Sequence, residues 1–315
     1  MKKKYLFFDV ESIDKRHETI CTFGYVLIDE QFNILEKEDI LINPNIPKSS
    51  YDNFVVKSML AYDIKQITSS PKFLAYADKI LGLINNPDID VIGFSIRNDL
   101  QYVLNELLRY GYSSINLGGY DVQLFHSRRN NIKNGISLEN LLKDLYIENN
   151  ELLIHNSRDD AEMTMLCVKK YCEELNCTIA DFLKIYDIRV ICKMSDIISR
   201  RVDKYVQTNL LDKYPRRKNT PIICISDSVK YSEKTMINLI EYILRKGFNY
   251  STRVSECNYF VEGDGTGVKD KSCEYNISMY NKRINKITLK ELETMLYNKS
   301  TCIQNRPRRI GVRGK

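Results

Sequence analysis

Apolar positions cluster early in the chain. Residues 5–10 (YLFFDV) form a short apolar run, and 20–29 (ICTFGYVLID) form a second, β-rich one. A polar turn over 12–19 lets the two pair as a hairpin. A third short run at 38–43 is closed by Pro44 and Pro47. Residues 70–85 predict a helix, because Pro71 fits its first turn and Phe73, Leu74, Ala77, Ile80, Leu81 and Ile84 recur at helical spacing. A short strand at 90–94, an amphipathic helix at 99–110, a strand at 120–125 and helices at 138–145 and 157–175 follow. Three strands and then alternating helix and strand predict an α/β fold with a mixed sheet. A second pattern begins at 221: strand 221–226, helix 232–246 ended by Gly247, strand 258–261, a glycine-rich turn (EGDGTG), a short helix near 271–275, a strand near 285–287 and a helix at 288–297.

The chain has 315 residues, which suggests two domains. With 43% hydrophobic and 28% charged residues, 7 Pro and 13 Gly, it is neither collagen-like nor mostly disordered. The 9 Cys are odd in number and none forms a CxxC pair, so we expect reduced thiols and a cytoplasmic protein rather than a zinc ribbon or a disulfide framework. The opening apolar run stops at Asp9, too short for a signal peptide, and no stretch is long and apolar enough for a membrane span.

Charge divides the chain. Residues 1–190 hold 22 Lys+Arg and 28 Asp+Glu, net −6, whereas residues 191–315 hold 25 and 13, net +12. An acidic half joined to a basic half suggests a cation site and a polyanionic partner. The stretch 199–220 carries seven basic and two acidic residues and reads as a basic linker; 306–315 (RPRRIGVRGK) reads as a basic tail.

The candidate chemistry lies in three acidic motifs. Asp9 and Glu11, two apart at a strand end, share one face. Asp99 stands at a helix start after the 90–94 strand. In HNSRDDAE, His155 precedes a helix whose first turn carries Asp160, with Asp159 as a competing acid. Taken singly, each has a plainer reading: a strand running out into a solvated loop, an N-cap, and a capping box from Ser157 to Asp160.

Their order changes the weighing. A strand-borne DxE, an Asp at a helix start and H-x-S-x-x-D-A at a late helix resemble the DEDDh branch of the DEDD 3′–5′ exonucleases, the group that includes the proofreading subunit of bacterial DNA polymerase III. The resemblance covers residues 4–176, with Asp121 in GYDVQLF matching a further family Asp. Ser12, Phe94-Ser95 and Ser157 depart from the usual residues and remove no ligand. The resemblance implies an RNase H-like mixed sheet flanked by helices. It implies two divalent cations, Mg²⁺ or Mn²⁺, held by Asp9, Glu11, Asp99 and Asp160, with His155 as general base and Ser12 near the terminal nucleotide. Such an enzyme hydrolyses DNA or RNA from the 3′ end to nucleoside 5′-monophosphates; an exoribonuclease of RNA turnover and a non-catalytic nucleic-acid scaffold are the alternatives.

Residues 221–297 resemble a BRCT domain in the strand ICIS, the helix after it, NYFVEGDGTGVKDKS and ITLKELETML, although Trp is missing and Asp227 stands where Gly is frequent. That resemblance implies a small α/β domain, a protein partner and a possible phosphate pocket at Ser226 and Lys269. The organisation expected is therefore an exonuclease domain at 1–190, a basic linker at 191–220, a BRCT-like domain at 221–300 and a tail at 301–315. Arg306, Arg308, Arg309 and Arg313 of the tail are candidate contacts to a nucleic-acid backbone.

Overall fold

The computed structural model describes residues 3–14, 18–112, 114–148 and 152–304. The chain divides into two compact units, Met1–Met194 and Ser195–Lys315.

The first unit is built on strands β1 (Lys4–Glu11), β2 (Thr22–Ile28), β3 (Ile34–Leu41), β4 (Ile89–Gly93), β5 (Asn116–Asp121) and β6 (Arg189–Lys193). They form one sheet in the order β3-β2-β1-β4-β5-β6, and β1, β4 and β5 are parallel to one another while β2, β3 and β6 run antiparallel to their neighbours. This is the mixed sheet flanked by helices that the sequence predicts. Tyr5, Leu6, Phe7 and Phe8 are all buried, as a central strand covered on both faces requires. The edge strand β3 is polar over Glu36, Lys37, Glu38 and Asp39, which discourages pairing with another chain.

Its helices are α1 (Ile64–Ser69), α2 (Ala77–Ile84), α3 (Arg97–Arg109), α4 (Val122–Arg129), α5 (Leu138–Asp144), α6 (Ser157–Leu175) and α7 (Ile179–Ile185). The single helix expected at 70–85 is broken at Tyr76 into a 3₁₀ turn, Phe73–Ala75, and α2. The strand expected at 120–125 ends at Asp121, whose carboxylate accepts the Gln123 and Leu124 N–H groups and so starts α4. Phe125 then turns into an aromatic cluster with Tyr171, Phe182 and Tyr186.

The second unit contains α8 (Met194–Tyr205), β7 (Ile222–Ile225), α9 (Glu233–Arg245), β8 (Asn249–Tyr250), β9 (Tyr259–Val261), α10 (Val268–Tyr280), β10 (Asn285–Ile287) and α11 (Leu289–Gln304). Its sheet is wholly parallel, in the order β10-β9-β7-β8. Cys224, Val254, Cys257, Phe260 and Cys273 form a small core. The stretch 191–220 is more structured than a linker. It completes β6, forms α8 and a π-helical turn, Val206–Leu210, and buries Ile197, Ile198, Val202, Val206 and Leu210. Among the described residues the cysteines are free, and no helix is long and apolar enough to cross a membrane.

Candidate active site

The carboxyl ends of β1 and β4 lie side by side, and the first acids are placed there. β1 carries Asp9 and Glu11 on one face, paired across the ladder with Gly24 and Thr22 of β2. After β4, a tight turn through Ser95, in the left-handed region at φ 54, leads into α3 and sets Asp99 in its first turn, where it is 6% exposed. Asp121 steadies this turn by accepting the Ser95 N–H at 3.1 Å. Asp121 therefore supports the site from behind, in addition to capping α4.

The third motif arrives from α6. Asn156, not Ser157, is the N-cap, accepting the Asp159 N–H at 3.1 Å. The capping box expected from Ser157 to Asp160 is absent from this start. Asp160 instead accepts the backbone N–H of His155 at 3.1 Å, and His155 holds a left-handed φ of 62 that lets the chain double back. Its Nδ1 faces Glu11 Oε1 at 3.6 Å. Asp159 turns away, binding Arg158 Nε at 2.9 Å and the Leu153 N–H at 3.1 Å, in keeping with a structural acid.

Two features that the sequence reading passed over hold α6 in place. Its start lies directly on β2: a Cβ on Gly24 would stand 1.9 Å from Arg158 N and 2.2 Å from Ser157 C. Only a glycine admits the helix at that distance, beside the pair of Asp9. The second feature is a clamp. Tyr62 Oη donates to Asp39 at 2.7 Å and accepts the Ser157 N–H at 2.9 Å, while Ser157 Oγ donates to Asp39 at 3.2 Å. No local pattern announces either contact, because both join distant segments.

The electrostatics follow from the crowding. Burial raises the Asp9 carboxyl well above the usual carboxylate range, and Asp99, Glu11 and Asp160 raise it further. Burial, Glu11 and Asp121 do the same to Asp99. Asp160 is pushed up to about 7 by burial and by Glu11, against the opposing pull of His155. Glu11 raises the His155 imidazole by hydrogen bonding, which outweighs its partial burial. Among the described residues no lysine or arginine forms an ion pair with Asp9, Asp99 or Asp160. Apart from His155 these carboxylates face one another rather than a cation, and oxygen ligands of this kind suit hard divalent cations. The donor atoms of Glu11, His155 and Asp160 all lie within 4.8 Å of one another; Asp9 and Asp99 are not in this tight group and are joined to it by the mutual repulsion of their carboxylates.

Ser12 is partly exposed at the end of β1, its Oγ accepting the Asp14 N–H at 3.3 Å. In the second unit, Ser226 and Lys269 have internal partners. Ser226 Oγ is hydrogen-bonded to Ser228, and Lys269 Nζ is paired with Asp203 at 2.8 Å. The first N–H groups of α10, at Val268 and Lys269, are taken by the Asp227 carboxylate at 2.8 and 3.0 Å, where an incoming anion would have to sit. The phosphate pocket expected there is thus filled by the chain's own aspartate. Arg306, Arg308, Arg309 and Arg313 lie outside the described residues.

No family model and no curated protein matches the chain. Solved structures similar to it include a 3′-exonuclease bound to the histone mRNA stem-loop, 11% identical over 56% of this chain and 84% of that one, TM-score 0.45. The nuclease domain of 3′hExo, a DEDDh family member bound to rAMP, is likewise 11% identical, covering 56% of this chain and 94% of that one, TM-score 0.45. Exonuclease I of E. coli with a dT13 oligonucleotide is 17% identical, covering 55% of this chain and 41% of that one, TM-score 0.42. The functional reading rests on the site itself.

Proposed function

We propose that the first unit is a metal-dependent 3′–5′ exonuclease of the DEDDh type, releasing nucleoside 5′-monophosphates from DNA or RNA. The observation that carries this is the convergence of Asp9, Glu11, Asp99 and Asp160, crowded and, for the three aspartates, without a lysine or arginine partner among the described residues, beside a histidine that solvent can reach. A scaffold that only held nucleic acid would gain nothing from four mutually repelling acids.

In this reading Asp9, Glu11, Asp99 and Asp160 hold two divalent cations, Mg²⁺ or Mn²⁺. When bound, the ions supply an activated water and a counter-charge for the leaving 3′ oxygen. The protein supplies position and a proton acceptor. His155 is 40% exposed at the side chain, so it can meet solvent water while Glu11 holds the side of its ring that carries Nδ1. In its neutral form it takes a proton from the attacking water. Ser12, at the rim beside Glu11, contacts the terminal nucleotide. The second unit, BRCT-like by the order of its motifs, adds affinity for the polyanion through its excess of cations and is a candidate for docking a protein partner.

The test is a time course on matched single- and double-stranded DNA and RNA, labelled at the 5′ end, with Mg²⁺ or Mn²⁺. Stepwise shortening with mononucleotide release is expected. Internal cuts, or no cutting of any of the four substrates, would remove the assignment.

A further inference from the structure

The second unit contains a cavity of about 340 Å³ that the nuclease chemistry leaves unused, lined in part by Tyr214, Arg216, Asn249, Ser251 and Arg253. Its volume falls in the ~300–1,000 Å³ range of small-ligand sites. Three features shape it. Asn249, 4% exposed, accepts the Arg217 N–H at 2.8 Å and donates to the carbonyls of Arg217 and Thr220 at 2.9 and 3.0 Å. That fixes the loop leading into β7, so Lys213, Arg216, Arg217 and Lys218 are presented by an ordered segment. Glu256 lies between two guanidiniums, 2.9 Å from Arg216 and 3.7 Å from Arg253, and accepts the Ser251 hydroxyl at 3.0 Å. One carboxylate against two guanidiniums orients both and leaves the wall positive. Tyr214 is held by its hydroxyl, which donates to Glu241 at 3.0 Å and accepts from Arg245 Nε at 3.1 Å.

An oriented phenol ring next to two oriented guanidiniums matches a nucleotide: a base has a π-face to lay on the ring, and its phosphates have charge for the arginines. Lys213 Nζ stands over the Tyr214 ring at 5.2 Å from its centroid, so a base laid on the ring also meets that cation, whereas an acidic peptide would use the cations alone. We propose that this cavity is a second nucleic-acid site, taking one nucleotide of a single strand with its base against Tyr214 and its phosphates against Arg216 and Arg253. This deepens the reading of the basic unit as a nucleic-acid contact and rests on it.

The test uses the full chain in excess EDTA, so that hydrolysis does not enter, with a short fluorescent oligothymidylate and its oligouridylate counterpart as probes read by anisotropy. Replacing both Arg216→Gln and Arg253→Gln should make the log–log salt dependence of binding shallower by about 0.7 for each arginine. Tyr214→Leu should weaken binding at least about fivefold. With an iodouracil-substituted oligonucleotide and the unaltered protein, photo-crosslinks should map to the peptide carrying Tyr214; this readout decides the matter if a variant does not fold. Unchanged affinity and salt slope in folded variants, crosslinks confined elsewhere, or displacement of the probe by polyglutamate at equal charge would each overturn the proposal. A protein that binds through this cavity but never shortens a strand with Mn²⁺ would defeat the nuclease reading and leave the cavity standing; a protein that shortens strands but crosslinks elsewhere would do the reverse.

Discussion

At the scale of single residues, two positions connect backbone geometry to chemistry. Gly24 has no side chain where the start of α6 crosses β2, and the atoms a Cβ would meet are backbone atoms of Arg158 and Ser157, which cannot rotate aside. Gly24→Ala should therefore lift the helix that carries Asp160 and shift His155 with it. Overpacking of this kind costs about 1–3 kcal/mol of stability. A shift near 1 Å at reacting groups costs on the order of 10²-fold in rate. Turnover and urea unfolding of the same variant separate the two: the fold should survive while turnover drops. His155→Asn keeps a residue that tolerates the left-handed backbone and removes the proton acceptor. Single-turnover rates should fall by about 10²–10⁴-fold with the melting temperature little changed. The DxE pair was legible in the sequence because strand period alone puts Asp9 and Glu11 together. Gly24, and the clamp of Tyr62, Asp39 and Ser157, were not, because close approach between distant segments leaves no local pattern.

At the scale of elements, α3 bears Asp99 at one end and, towards the other, a buried Glu106 paired with the part-exposed Arg109. Glu106 is fully buried and accepts the Ile20 N–H at 3.3 Å, tying the helix to the start of the second strand. Burial pushes its carboxyl up to about 7, against the pull of Arg109. Burial prevails because the Arg109 side chain is 22% exposed, so solvent screens its charge. An acid whose folded pKa is raised holds its proton longer in the folded state than in the unfolded chain. Its contribution is present in full below the ordinary glutamate value of about 4.3 and is lost as pH rises towards about 7. Relative to Glu106→Gln, the parent protein should lose up to on the order of 3 kcal/mol between pH 5 and pH 8 in urea melts; a difference that stays flat with pH would show that Arg109 governs the pair. The same scale explains the misread elements. The apolar run at 120–125 resembles a strand, yet the Asp121 side chain offers the next N–H groups a better partner and turns the chain into a helix. The basic residues of 199–220 mask the apolar stripe of Val202, Val206 and Leu210.

For the whole molecule, the charge asymmetry between halves was readable from composition alone, and the structure gives it two different forms. In the first unit, acids gather at the carboxyl ends of adjacent parallel strands, where open α/β sheets present their binding crevices. In the second, Arg216, Arg217 and Lys218 stand on the ordered loop before β7, and Arg253 immediately precedes the 3₁₀ turn Val254–Glu256. The first N–H groups of α10, by contrast, are occupied internally, by Asp227. The nuclease assignment requires that the acidic cluster need a metal to act on a 3′ end. The direct measurement is hydrolysis of a 5′-labelled single strand by the full chain and by Asp9→Asn, each with Mn²⁺ and with excess EDTA. A ladder descending from the 3′ end is expected for the parent protein with Mn²⁺, and none in the other three samples. An undiminished ladder in EDTA or in Asp9→Asn would refute the nuclease assignment.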